Sequence, residues 1–333
     1  MTQMAQAKNE DTLVVDAVKI KKYYQAGSSL HVNSSVVKAV DGVSMKIYEN
    51  EVYGLVGESG CGKSTFGRTL LRLTDPTDGT ITINGRDITK MPEKQLRMYR
   101  NNMQMIFQDP YTSLNPRKKI GQILDEVLVI HGVKDAKTRM DLTLQIMEKV
   151  GLRPEHYFRY PHEFSGGQRQ RVGLARALIL NPKFIVCDEP VSALDVSIQS
   201  QIVNLLLDLQ EEKSLTYLFI AHDLSVVKYI STRIGVMYLG HLVEEAPADE
   251  LFHHPLHPYT QALLSAVPST KVGANKNRIV LSGELPSPLN PPNGCPFHTR
   301  CPHAKPYCSQ MRPKTREIEP GHRLECFLYS DAK

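Results

Sequence analysis

The sequence predicts an α/β fold built around a parallel sheet, and three observations carry the prediction. Short apolar runs alternate with stretches of helical period along most of the chain. Two of those runs, "KFIVCDEP" and "SLTYLFIAHD", are unbroken and end in polar residues, the pattern of strands buried on both faces. A glycine-rich loop, "GESGCGKST", lies between a strand-like run and a helical one.

The elements follow in order. Residues 1–11 lack any apolar pattern and are expected to be disordered. From 12 to 56 the runs "TLVVDAVKI", "SVVKAVDGVSMKI" and "EVYGLVG" read as strands, several of them antiparallel, the last feeding into the glycine loop. Residues 64–73 have helical spacing, and 79–88 read as a hairpin turning at Asn84-Gly85. The pattern from about 92 to 180 is mainly helical, interrupted by one proline-bearing loop, "QDPYTSLNPR". Residues 195–212 form an amphipathic helix with Ile198, Ile202, Leu205, Leu206 and Leu209 on one face and Asp195 as a candidate N-cap. "RIGVMYLGHLVEEA" reads as a final hairpin. Beyond 267 the composition changes: nine prolines fall between 286 and 320, and four of six cysteines lie between 295 and 326. This stretch is expected to be a separate, loop-rich tail.

Bulk properties exclude several functions. The 40 basic and 35 acidic residues leave a net charge of only +5, with no long run of like charge, so no nucleic-acid partner is expected. No apolar stretch is long enough to span a bilayer and the first residues carry no secretory signal, so the protein is expected in the cytosol with its cysteines as thiols or metal ligands.

The chemistry begins at Gly57-Glu58-Ser59-Gly60-Cys61-Gly62-Lys63-Ser64-Thr65, a complete G-x-x-x-x-G-K-[ST] phosphate loop. Its glycines let backbone N–H groups turn toward a phosphate. Lys63 is placed to reach the β- and γ-oxygens and Ser64 to offer its hydroxyl to Mg²⁺, while the following helix aims its positive end at the same anion. Fast hydrolysis also needs an acid to order the metal and a group to orient water. Asp188, at the end of "FIVCD", suits the first task, and Glu189 beside it suits the second as general base. Gln108 carries an amide that can face metal and water together, though alone it reads more readily as a surface glutamine. His222, ending "YLFIAH", could contact a γ-phosphate; alone it reads as structural. A second Gly-rich helix start, "EFSGGQRQRVGLARAL", lies about a hundred residues beyond the first. Its Arg169, Arg171 and Arg176 are expected on a solvated face with local salt bridges.

The order of phosphate loop, Gln108, "FSGGQ", "CDEP", "SALD" and His222 resembles the ATP-binding cassette of ABC proteins over roughly residues 12–265. The resemblance implies a P-loop ATPase core, made of a parallel-sheet RecA-like part plus an antiparallel β subdomain, with a helical subdomain inserted at about 101–180. The cassette is expected to span 12–267 and the tail 268–333. Two cassettes then clamp two nucleotides head to tail. Ser165, Gly166, Gly167 and Gln168 act on the partner's ATP, the glycines allowing close backbone approach to its phosphate. Ser192-Ala193-Leu194-Asp195 match the D-loop, Gln108 the Q-loop glutamine and metal contact, and His222 the switch histidine. Tyr24 matches the adenine-stacking aromatic, with adjacent Tyr23 as the alternative.

Finer stretches, "GLVGESGCGKST", "MIFQDPYTSLNPR", "LDVSIQSQIVNLLLDLQ" and "HHPLHPYTQALLSAVP", are similar to ATP-binding subunits of oligopeptide/dipeptide importers, the F-type more than the D-type. This implies docking on two membrane permease subunits at the cytoplasmic face, a second cassette (a D-type companion in a heterodimer, or a copy of this chain) and an extracytoplasmic solute-binding protein. The loop after Gln108 is expected to receive a short permease helix. Nickel, glutathione or oligosaccharide import remains an alternative, as does a non-membrane ABC ATPase acting on ribosomes or DNA. Cys295, Cys301, Cys308 and Cys326, spaced C-x5-C-x6-C-x17-C, resemble tails that hold a [4Fe-4S] cluster. Zinc, with His298, His303 or His322 as substitute ligands, and four free thiols are the alternatives. Cys61 and Cys187 sit inside motifs as bystanders.

Overall fold

A computed structural model describes residues 12–26, 35–109, 113–267, 279–281 and 283–329. The N-terminal segment 1–11, and Pro110, Tyr111 and Thr112 of the proline-bearing loop, lie outside the described residues.

Two sheets organise the chain. The first is antiparallel, in the order β2-β1-β4-β5: β1 is Leu13–Ala26, β2 Ser35–Tyr48, β4 Asp78–Ile83 and β5 Arg86–Asp87. The β4–β5 hairpin turns at Asn84 (φ 47°) and Gly85 (φ 73°), the left-handed pair such two-residue turns require. The second sheet has eight strands in the order β11-β12-β10-β9-β3-β8-β7-β6. Its parallel part comprises β9 (Arg233–Tyr238), β3 (Val52–Val56), β8 (Thr216–Ile220), β7 (Phe184–Asp188) and β6 (Met103–Ile106). Strands β3, β7 and β8 are buried throughout, as unbroken apolar runs predict. Tyr53, Leu55, Phe184, Val186, Leu218 and Ile220 face one core, shared with helix α1 (Lys63–Leu70) and the antiparallel sheet. Their alternates Val52, Val56, Ile185, Cys187, Tyr217 and Phe219 face the other.

That second core is closed by helices: α3 (Ile120–Ile130), α4 (Ala136–Lys149), α5 (Gly166–Leu178), α6 (Val196–Lys213) and α7 (Leu224–Ile230), while α2 (Glu93–Tyr99) leads into β6. Helix α6 buries Ile202, Val203, Leu206 and Leu209, with Ile198 and Leu205 partly covered. Asp195 occupies its N-cap position without a side-chain capping bond, although its carbonyl accepts from Ile198 and Gln199.

Three expectations change. Strand β6 lies within the stretch expected to be helical. Its four residues, "MQMI", are too few to show a period and hold one β-branched residue, so parallel pairing with β7 decides the conformation. The tail is not separate. Strands β11 (Arg316–Glu319) and β12 (His322–Leu324) extend the large sheet beside β10 (His241–Pro247), and Phe297 is buried in the main core. The α5 arginines Arg169, Arg171 and Arg176 are half-buried against neighbouring loops and not spread over a solvated face. Arg169 donates to Pro161 O, Arg171 to Val150 O and Arg176 to Ser113 O, tying the helical layer's loops to the helix through backbone carbonyls.

Candidate functional site

Strand β3 ends at Val56, and the chain turns through Gly57 (φ 152°), Gly60 (φ 80°) and Gly62 (φ 105°) before α1 begins at Lys63. A Cβ at Gly62 would lie 2.1 Å from Ala39 O and one at Gly57 2.2 Å from Met237 O, so neighbouring backbone excludes side chains there. Lys63 is buried, and its Nζ donates to Gly57 O at 2.7 Å and Glu58 O at 3.1 Å. The loop lines a cavity of about 470 Å³ together with Gln108, Glu189 and His222. Ser59, Gly60, Gly62, Lys63, Ser64 and Thr65 form its floor, with Val37, Ala39 and Pro288 on the wall.

Parallel pairing brings the far-apart polar residues to this cavity. Strand β7 delivers Asp188 opposite α1, where Ser64 Oγ donates to Asp188 Oδ1 at 2.6 Å. Burial raises the Asp188 pKa against the opposing pull of Ser64 and Arg68. Asp188 Oδ2 is buried without a hydrogen-bond partner, and Arg68 Nη2 stands 3.6 Å away. A serine hydroxyl and a carboxylate with a spare buried oxygen form a hard-oxygen donor set that suits Mg²⁺. Glu189 continues past the strand at φ 47°, its N–H held by Ile220 O at 2.9 Å. A non-glycine residue in that region is strained, and the strain aims its carboxylate into the cavity. Gln108 Nε2 donates to Glu189 Oε2 at 2.9 Å, and His222 Nδ1 stands 3.4 Å from the same oxygen. The three residues thus converge on one carboxylate from the ends of β6, β7 and β8.

The second glycine motif lies elsewhere. Ser165 caps α5 in a reciprocal box: Gln168 N donates to Ser165 Oγ at 3.4 Å, and Ser165 N to Gln168 Oε1 at 3.0 Å. Ser165, Gly166, Gly167 and Gln168 do not line the phosphate-loop cavity. A Cβ at Gly167 would sit 2.5 Å from Ile198 Cγ2, whereas one at Gly166 would make ordinary contact with Leu194 at 3.4 Å. Packing within the chain therefore already requires Gly167, a reason the sequence reading did not supply. Between the two regions, Ser192 Oγ donates to Glu189 O at 3.1 Å, and Gln199 Nε2 donates to Leu194 O at 2.9 Å. Ala193 and Asp195 complete that turn before α6.

Tyr24 and Tyr23 separate. Tyr23 donates its hydroxyl to Asp41 Oδ1 at 2.5 Å, whereas Tyr24 is exposed with Lys22 Nζ 4.9 Å from its ring centroid. Tyr24 pairs directly across from Val37, so the two side chains share a sheet face, and Val37 lines the cavity. In the tail, Cys295, Cys301, Cys308 and Cys326 line one small cavity with His298 and His303, although they span 32 positions of the chain. Burial pushes the Cys295 thiol up to about 12 and Cys326 to about 11. His322 lies outside that cavity, with Nε2 2.8 Å from Glu244 Oε1.

Sequence reasoning missed two contacts to the loop. The Glu58 N–H donates to the Tyr259 hydroxyl at 2.8 Å, and the Glu58 carboxylate receives both Nη atoms of Arg300 at 2.7 and 3.1 Å. Both partners lie about 200 residues or more downstream, and no local spacing announces them.

The family pattern for the ABC transporter matches residues 40–192, and that for the oligopeptide/dipeptide transporter C-terminal region matches residues 243–308. The oligopeptide transport ATP-binding protein AppF of Bacillus subtilis is 54% identical over 328 residues, covering 97% of this chain and 99% of its own. The dipeptide transport ATP-binding protein DppF of Escherichia coli is 48% identical over 314 residues, covering 94% of each. Among solved structures, the dimeric post-hydrolysis state of the ATP-binding cassette MJ0796, bound to ADP and Pi, superposes with a TM-score of 0.63 at 28% identity, covering 70% of this chain and 98% of its own. With identity this high over nearly its whole length, the chain belongs to the ABC transporter family, as an ATP-binding cassette that carries the C-terminal region of oligopeptide/dipeptide transporters.

Proposed function

We propose that this chain is the ATP-hydrolysing subunit of an ABC importer for di- and oligopeptides. It works on the cytoplasmic face of the membrane as one of two cassettes beneath two permease subunits. The observation that carries the reading is the meeting of Gln108 and His222 on the Glu189 carboxylate inside the phosphate-loop cavity, with the Ser165–Gln168 motif outside it. One chain thus holds a complete hydrolytic side and a spare phosphate-covering helix start, as head-to-tail pairing requires.

In this reading Gly57, Glu58, Ser59, Gly60, Cys61, Gly62 and Thr65 supply the phosphate cradle, and Lys63 pairs with the β- and γ-oxygens. Ser64 and Asp188, with Gln108, would hold Mg²⁺, which would neutralise charge on the phosphates. Glu189 accepts a proton from the attacking water, while Gln108 and His222 fix its position. Ser165, Gly166, Gly167 and Gln168 cover the nucleotide of the opposite cassette, and Ser192-Ala193-Leu194-Asp195 run along the seam. Tyr24 stacks on adenine; its exposed ring on the Val37 face favours it over Tyr23.

Relatives named for oligopeptide and dipeptide transport support a peptide cargo. Among the described residues no helix is long and apolar enough to cross a membrane, so translocation falls to permease subunits. A groove of about 630 Å³ beside Gln108, lined by Arg100, Gln104, Phe107, Val127 and Arg176, is the place for a permease helix. A D-type cassette as partner and an extracytoplasmic solute-binding protein complete the assembly.

For the tail, a [4Fe-4S] cluster held by Cys295, Cys301, Cys308 and Cys326 is the favoured occupant. The four thiols share one cavity, yet no three of them bring their sulfurs within 4.8 Å of one another. A single zinc at about 2.3 Å from each sulfur needs them closer than that, whereas a cluster distributes its thiolates around several irons. Bound there, it would cross-link three irregular segments. Broad visible absorbance lost in Cys301→Ser is the expected signature; a colourless protein rich in zinc overturns it.

The central test is Glu189→Gln. ATP binding should remain, while turnover falls by about 10²-fold or more. Equal turnover removes the base assignment. Peptide uptake into vesicles that hold the assembled importer should fall in parallel.

A further inference from the structure

The C-terminal region reaches the nucleotide site itself. Arg300 is buried, and its guanidinium grips the Glu58 carboxylate with two parallel bonds, 2.7 and 3.1 Å long. Such bidentate pairing fixes orientation as well as charge. The Glu58 N–H is meanwhile held by the Tyr259 hydroxyl at 2.8 Å, and the Glu58 carbonyl receives Lys63 Nζ at 3.1 Å. Every polar group of this loop residue is thus committed, two of them to residues beyond the phosphate-loop core. Tyr259 packs edge-on against Tyr238 at 4.7 Å and tilted against Phe297 at 5.4 Å, so the tail buttresses the second support as well. On the opposite wall Pro288 lines the cavity and its carbonyl accepts from Lys38 N at 3.4 Å.

We infer that Arg300 is a positioning residue for ATP binding, acting through Glu58 on the phosphate loop, and that the C-terminal region is a working part of the nucleotide site. The inference rests on ATP occupying this loop. The physical argument is one of charge and conformation. Glu58 carries a carboxylate within the phosphate loop but outside the cavity lining, and Arg300 both neutralises it and holds it there. Without Arg300 the carboxylate is left half-buried and unpaired, free to repel the nucleotide and to compete for Lys63. Arg300 holds Glu58 and lies over the Tyr238 ring, whereas the Glu189 carboxylate is held by Gln108 and His222, so the loss of Arg300 acts on binding and leaves the chemical step alone.

The test is a double-mutant cycle in the full-length protein, read by the Kd of a fluorescent ATP analogue with Mg²⁺ and by the KM and kcat for ATP. Arg300→Gln should raise Kd and KM about tenfold with kcat within about twofold. Arg300→Lys, which keeps the charge and loses the fork, should raise them about threefold, and it carries the test if Arg300→Gln does not fold. Adding Glu58→Gln to Arg300→Gln should recover most of the affinity, because the unpaired charge is gone. A merely structural role predicts a lower Tm with unchanged KM, or additive effects in the double variant; either result overturns the inference. Lys63→Ala separates the two levels. If it abolishes binding while Arg300→Gln leaves affinity intact, the inference alone falls. If Lys63→Ala leaves binding intact, the phosphate-loop reading falls and the inference with it.

Discussion

Gly166 and Gly167 look equivalent in sequence, but they do different things. The ideal Cβ of Gly167 meets the Cγ2 methyl of Ile198 at 2.5 Å, a branch that moves only by a χ1 change or a backbone shift. Gly166 has only an ordinary 3.4 Å contact with Leu194. Gly167→Ala should therefore cost about 2 kcal/mol of stability through overpacking, and Ile198→Ala added to it should return part of that loss. Gly166→Ala should change stability by less than about 1 kcal/mol while still weakening the pairing of cassettes on ATP. Urea unfolding read beside ATP-dependent dimerisation separates the two effects; equal destabilisation by both alanines would refute the packing argument. Glu189 belongs to the same scale. Its position after "FIVCD" is visible in the sequence, but its left-handed backbone (φ 47°), which turns the carboxylate toward Gln108 and His222, is not.

Elements were legible where their signals are local. The Asn84-Gly85 hairpin announces itself by residue type, and β7 and β8 by unbroken apolar runs. Gln108, Glu189 and His222 stand out in the sequence as candidates because each lies in a short motif at a strand end, and the structure brings them to one cavity. Strand β6 was hidden because four residues carry no period, and β11, "REIE", because an edge strand with a solvated face shows little apolar pattern. The union of tail and cassette depends on contacts with no local trace. Glu244, buried on β10, accepts from Leu256 N at 2.7 Å and His257 N at 3.1 Å, and lies 2.8 Å from His322 Nε2 on β12. One carboxylate thus joins a strand, the turn into helix α8 (Pro258–Ser265) and the tail. Glu244→Leu strands two backbone donors in the core and should cost about 3 kcal/mol or more, whereas Glu244→Gln keeps one acceptor oxygen and should cost about half that. Hydrogen exchange at β12 should accelerate in Glu244→Leu; unchanged protection there would show that the carboxylate does not hold the strand.

At the scale of the whole molecule, cassette and tail share one sheet and one core, and two buried histidines tie their joint stability to pH. Burial depresses both His241 and His257 from 6.5 to about 4. His241 is flanked by Asp41 from β2 and by Arg312 from the tail, and its Nδ1 lies 2.8 Å from Asp41 O. His257 packs against Phe297 of the tail, and its Nδ1 accepts the Tyr259 N–H at 3.1 Å, a bond that needs the neutral ring. Well above pH 6.5 both rings are neutral whether the chain is folded or not, and their contribution is fully present. Between 6.5 and about 4 the unfolded chain binds two protons that the folded chain refuses, so stability falls as pH falls, by at most about 3 kcal/mol per pH unit. Urea unfolding should therefore show a midpoint that declines from pH 7 to pH 5, before most carboxylates titrate, with tail and cassette losing structure in one transition. His257→Asn retains a capping oxygen for the Tyr259 N–H and cannot charge in this range, so it should flatten the decline by about half. A midpoint independent of pH in the native protein, or a decline unaltered in His257→Asn, would mean that other groups set the acid sensitivity. Two separate transitions would mean that the shared sheet does not make tail and cassette one folding unit.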